Sequence, residues 1–162
     1  MEVTFQMVKP TRDSMSKRVL LVRGGSLGRN TGLGAAHHNL VDLLASGKVT
    51  GWELADVCEY PLTKTNNPIS RIWQRWFAHP RRVAKKIRQL AQQNDCEVVH
   101  ITDQEQAHLV PKNSQLPVVI TVHDLFHLFP EQLGFTDEVI EVGELRPGAI
   151  RRRDLAKLKK GI

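Results

Sequence analysis

Apolar residues recur along the chain with two periods, and the switches between them mark the elements. Residues 19–22 (VLLV) are a short apolar, β-branched run of the kind that fits a strand covered on both faces. From Leu33 the period lengthens: Leu33, Ala36, Leu40, Val41 and Leu44 recur every three or four residues and lay one stripe along a helix. Asn30 or Thr31 serves as its N-cap and Gly47 as its stop. Residues 52–60 (WELADVCEY) alternate loosely up to Pro61 and read as a second strand. Residues 63–68 read as a loop in which Asn67-Pro68 supplies a cap and a first helical position. Ile69, Ile72, Trp73, Trp76 and Phe77 then keep helical spacing, and Pro80 is expected to restart a second helix with Val83, Ala84, Ile87, Leu90 and Ala91 inward.

Residues 97–102 (EVVHIT) predict a third strand, and 107–110 a turn of helix before Pro111. Residues 116–122 (LPVVITV) are the most strand-like stretch of all and lead into His123-Asp124. An acidic, weakly helical or loop-like stretch at 131–144 and a basic helix from Pro147 close the chain. Alternating strand and helix predicts an α/β fold: a Rossmann-like parallel sheet with helices on both faces. Residues 1–17 are expected to be a loosely held leader, with 3–8 as an added edge segment, and 18–162 one domain. No apolar run approaches membrane-spanning length, and the first eighteen residues lack the continuous apolar core of a secretory signal.

Charge changes this picture only locally. Residues 60–94 carry eight basic and no acidic side chains, whereas 95–150 carry two basic and ten acidic ones. The net +6 therefore belongs to separate surfaces and does not argue for nucleic acid. Arg81, Arg82, Lys85, Lys86 and Arg88 lie mostly opposite the apolar face of their helix. Two readings stay open: surface helices docked on the sheet with solvated cations, the commoner use of such a stripe, or a basic, tryptophan-bearing face on an anionic membrane. Cys58 and Cys96 fit no C-x-x-C pattern, sit in strand-like surroundings and read as buried free thiols. No N-x-[ST] sequon occurs, and with these thiols that points to a cytoplasmic location.

The chemistry clusters at predicted strand ends. Gly24, Gly25, Gly28, Gly32 and Gly34 fall within eleven residues between the first strand and its helix. Such a bend exposes backbone N–H groups at a helix start and lets an anion approach closely. No G-x-G-x-x-G can be written, because His37 stands where the third glycine belongs, so a flexible turn with glycines for tight packing stays open beside phosphate binding. Gly24-Gly25-Ser26-Leu27-Gly28 formally reads G-x-S-x-G, but it follows the first strand, with further glycines directly after it. His37, His38, His100, Asp103, His123, Asp124 and His127 share no fixed ligand spacing, so no metal site is expected. In an open parallel sheet, ligands sit beyond the carboxyl ends of the strands. There the glycine bend, His100–Asp103 and His123-Asp124 converge.

The glycine bend together with EVVHITDQEQAHLV, LPVVITVHDLFHLFPE and the basic RRRDLAKLKKGI resembles the N-terminal, acceptor-side domain of family 4 glycosyltransferases, over nearly all of 18–162. These are retaining enzymes of the GT-B architecture, and the domain is one half of it. The resemblance implies hexosyl transfer from a nucleotide-diphosphate sugar as co-substrate, with no further cofactor, to an acceptor that is a glycan, a lipid or a small molecule. It implies that Gly24, Gly25, Ser26 and Gly28 approach the donor diphosphate and acceptor. It likewise implies that His123 contacts the donor sugar, that Asp124 orients this histidine or the following loop, and that Thr102 and Asp103 face the acceptor side. Segment 71–88 is similar to the membrane-facing parts of lipid-glycosylating members, implying peripheral contact with the inner face of a membrane. The family's donor-binding half, with its E-x-x-x-x-x-x-x-E motif, is expected to follow the last helix and is not in this sequence; Glu97 and Glu105 share that spacing by chance. This chain alone is therefore expected to be inactive. A non-catalytic Rossmann-like binding module, docking on a partner or an anionic membrane, and a small hydrolase using Ser26 and His123 are the alternatives.

Overall fold

The computed structural model describes residues 16–25, 28–60 and 67–123. Four strands, β1 (Lys17–Gly25), β2 (Trp52–Tyr60), β3 (Val98–Ile101) and β4 (Val118–Ile120), form one all-parallel sheet in the order β2-β1-β3-β4. Helix α1 (Gly32–Ala45) links β1 to β2. The return from β2 runs through α2 (Pro68–Trp73), a π-turn (Gln74–Ala78) and α3 (His79–Gln92), and a 3-10 helix (Gln104–Leu109) follows β3. This is the Rossmann-like α/β arrangement that the alternating periods predict.

Strand β1 explains the layering. Its side chains alternate between faces, and 19–22 are all 0–5% exposed. Val19 and Leu21 meet Leu44, Leu40 and Val41 of α1. Leu20 and Val22 meet Val83, Ile87 and Leu90 of α3, together with Val99, Ile101 and Leu109. Each fully buried Leu or Val contributes about 1.5–3 kcal/mol, so neither layer is dispensable. Asp95 pairs with Arg18 near the start of β1, whereas His79 meets Arg23 near its end, so α3 runs antiparallel to the strands.

Several local expectations change. The helix after Pro68 is capped by Asn67 as expected, its side chain accepting from the Ile69 amide at 3.0 Å. Pro80, however, restarts nothing: the chain stays helical from α2 to α3 through the π-turn. Proline cannot donate to the i−4 carbonyl, and the widened turn absorbs that lost bond. Ala36 is exposed, while His37 takes an inward place on α1. Strand β4 covers only 118–120 of the expected 116–122, and the turn expected at 107–110 begins earlier, at Gln104. Both cysteines are free thiols; Cys96 is buried, whereas Cys58 is only half-buried. Lys17, expected in the leader, already belongs to β1; residues 1–15, Ser26, Asp124, His127, the acidic stretch and the last basic helix lie outside the described residues.

The glycine-rich bend is built by close packing. Thr31 caps α1, its hydroxyl accepting from the Gly34 amide at 3.0 Å and donating to the Gly28 carbonyl at 3.0 Å. A Cβ on Gly34 would lie well inside van der Waals contact with that carbonyl, which is backbone and cannot swing aside. Glycine to alanine inside a helix normally adds about 0.5–1 kcal/mol. Here Gly34→Ala is expected to cost about 1–3 kcal/mol instead, read as a lowered urea midpoint with an unchanged slope.

Candidate functional site

All four strands end at the same edge, and the loops leaving β1 and β3 diverge there. After β1 the chain turns into α1 on one face; after β3 it turns into the 3-10 helix, whose Leu109 packs with α3 on the other. Divergence between neighbouring parallel strands marks the carboxyl edge where such sheets usually form their ligand crevice. Gly24 and Gly25 form one lip, where Gly25 pairs with Tyr60. The amide of Gln106 lies against Gly24, so closely that a Cβ there would collide with it.

Thr102 and Asp103 follow β3 directly but are only 5% and 4% exposed, beneath the rim instead of on it. The Asp103 carboxylate caps the 3-10 helix, accepting from the Glu105 amide at 2.9 Å. Burial pushes its pKa up, and the neighbouring Glu105 charge adds to this against the pull of that amide, Arg23 and His123. His123 lies just beyond β4. Its backbone N–H donates to Gln104 Oε1 and its ring Nε2 lies 3.0 Å from the Thr102 carbonyl. A carbonyl only accepts, so Nε2 carries the proton there.

Beneath this edge lies a polar floor that the periodicity did not announce. Arg23 is 3% exposed and donates to the Leu33 carbonyl at 3.1 Å. His79, 1% exposed, reaches the Arg23 carbonyl through Nε2 at 2.5 Å and packs edge-on to Tyr60. Through Nδ1, His37 meets Thr102 Oγ1 at 3.0 Å, and its Nε2 faces Glu59 Oε2 at 3.8 Å. Burial lowers the His37 pKa to about 4, helped by the charges of Arg23, His38 and His100. His100 bonds Thr121 Oγ1 at 2.7 Å, and burial lowers its pKa too.

The cap on α1 takes the Gly34 amide, so among the described residues the amides left without a partner at this helix start are those of Gly32 and Leu33. Among the described residues, no three His, Cys, Asp or Glu side chains come together as a metal-ligand set. No helix among them is long and apolar enough to cross a membrane. Arg23 and Glu59 continue strand patterns and carry no motif; the signal that could have found them is position, a charge at the carboxyl end of a predicted buried strand. Comparison with family models, with curated proteins and with solved structures finds no match.

His37 makes stability depend on pH. Its folded pKa lies below the ordinary value of 6.5, so the unfolded chain binds more protons between those two values and stability falls as pH falls through that window. From pH 7 to 5 this loss is about 2 kcal/mol. His79 and His100, also lowered by burial, act in the same direction, while Asp103, raised, acts against them. His37→Asn removes its own contribution. The pH-dependence of the urea midpoint should therefore flatten by about that amount relative to wild type.

Proposed function

We propose that this domain is the acceptor-side half of a retaining, nucleotide-sugar-dependent glycosyltransferase, requiring a donor-binding half for hexosyl transfer. One observation carries the reading: the glycine bend after β1 and the imidazole of His123 occupy the same edge of one parallel sheet, where Thr102 is bonded both to His123 and to Val22 of β1. In this reading the bend approaches the diphosphate through Gly24, Gly25, Ser26 and Gly28. His123 receives the sugar, with Asp124 beside it, and Thr102 and Asp103 support the acceptor side from below. The test adds a separately produced donor-binding half of a GT-B enzyme and a nucleotide-diphosphate hexose. Neither polypeptide alone should transfer sugar, and the mixture should. Loss of one charge-free hydrogen bond to the sugar in His123→Ala should lower the rate about fivefold. Transfer unaffected by His123→Ala, or none from any donor half, would overturn the reading.

A specific observation favours an amphiphilic partner at the same end of the molecule, and with it the second reading, docking on an anionic membrane surface. Because α3 runs antiparallel to the strands and His79 already stands at the carboxyl end of β1, α2 projects beyond that edge. Apolar side chains of α2 and the π-turn are open to solvent: Ile69 is 74% exposed, Trp73 59% and Phe77 44%. Arg71, Arg81, Arg82 and Lys85 are exposed along the same helical run, Arg81 lying over the Phe77 ring at 5.8 Å. Cations beside exposed tryptophan suit an anionic lipid headgroup layer, each worth about 1 kcal/mol near it. The chain should float with phosphatidylserine vesicles and not with phosphatidylcholine alone. Charge reversal at Arg81, Arg82 and Lys85 should abolish this; equal flotation after reversal would remove the membrane from the account.

A further inference from the structure

The polar floor beneath the crevice forms a chain across the whole sheet. Glu59 at the end of β2 faces Nε2 of His37 at 3.8 Å. His37 Nδ1 meets Thr102 Oγ1 at 3.0 Å, and the Thr102 carbonyl meets His123 Nε2 at 3.0 Å. The first three groups are partly or wholly buried, and Glu59 Oε2 has no hydrogen-bond partner. Such an arrangement costs stability unless each group points a specific way.

We propose that Glu59, His37 and Thr102 are positioning residues that hold His123 in its Nε2–H tautomer and so keep its Nδ1 a hydrogen-bond acceptor. The directions follow from donor and acceptor chemistry. A neutral imidazole carries one N–H, and at His37 the Glu59 carboxylate attracts that proton to Nε2. The facing charges are Arg23 on β1, His38 on α1 and His100 on β3, all of which oppose a second proton. Nδ1 then accepts from the Thr102 hydroxyl. With its amide donating to the Val22 carbonyl at 3.2 Å and its hydroxyl tied to His37, Thr102 is pinned at both ends. Its carbonyl keeps one direction, and only a protonated Nε2 answers it.

This geometry sets what the crevice mouth receives. In that tautomer Nδ1 carries a lone pair, which accepts a hydrogen bond but repels a fully ionised phosphate. The group placed there is a hydrogen-bond donor, such as the hydroxyl of a sugar or another polyol. The choice of a sugar hydroxyl rests on the function proposed above; the tautomer does not.

Nitrogen-15 spectra of the histidine rings, recorded on the full chain at neutral pH without any ligand, test it. In wild type, His123 should show a protonated Nε2 and a bare Nδ1. Thr102→Val keeps the shape but removes the hydroxyl, and the tautomer ratio should fall roughly fivefold, the effect of one hydrogen bond. Thr102→Ser should retain the ratio. His37→Asn should retain it as well, since its amide reaches the Thr102 hydroxyl from the place of Nδ1, whereas His37→Ala should not. A bare Nε2 in wild type would overturn the proposal whatever the variants do. So would an unchanged ratio in folded Thr102→Val. Failure of sugar transfer with the expected tautomer would overturn the glycosyltransferase reading and leave the positioning chain standing.

Discussion

The structure depends on the complete burial of the four side chains 19–22 on both faces of β1. A strand whose successive side chains are all apolar cannot leave one face in water, so a helix must cover each side. Covering both faces with helices makes each return to the sheet a crossover, and crossovers make neighbouring strands parallel. Parallel strands in turn place every carboxyl end at one edge. The convergence of the glycine bend, Thr102 and His123 is therefore a consequence of VLLV being apolar at every position. A polar residue at 20 or 21 would favour a half-exposed, antiparallel strand and scatter these groups.

The elements were legible where one period dominates. Strand β2 follows its sequence pattern to the residue, and the helices covering the sheet carry their stripes almost as expected. What the pattern hid was the polar layer beneath the edge. Reading hydrophobicity alone gives Ala36 the inward place that His37 occupies, because an imidazole counts as polar until its partner is known. His37 is inward because Thr102, sixty-five residues later, supplies that partner. A contact of this range leaves no trace in local spacing. Gln104 and Gln106 are equally buried and equally unannounced; one holds the His123 amide and the other covers Gly24. The bend itself was visible as glycines, and tight packing was one of its two open readings. Gly34 is needed because the Gly28 carbonyl lies against it, which is packing and not room for a ligand.

A buried layer of Arg23, His37, His79, Thr102 and Asp103 is a poor way to gain stability. Apolar residues of similar volume would avoid the desolvation that lowers three histidine pKa values here and raises that of Asp103. Its concentration at the carboxyl edge, apart from the apolar clusters on both faces of the sheet, separates the two tasks in space. The apolar layers hold the strands, and the polar layer fixes the directions of lone pairs and protons next to the crevice. Low exposure strengthens those directional preferences, because few water molecules compete for the same groups.

Pro80 connects this floor to the surface above it. In an uninterrupted α-helix, Ile69, Ile72 and Trp76 would fall into line with His79, Val83, Ile87 and Leu90, giving one continuous inward stripe. The π-turn inserts about one residue, which rotates whatever precedes it by about 100°. After the turn, His79 is aimed at the Arg23 carbonyl and the α3 stripe meets the sheet. Before it, Ile69 and Trp73 are swung outward, and within it Trp76 packs beside His108 instead of entering the core. A residue able to donate at position 80 would let the helix close its i→i−4 ladder, turning the apolar arc back toward the protein. It would also move His79 relative to β1. The exposed arc and the support under the crevice are thus two results of a single missing N–H.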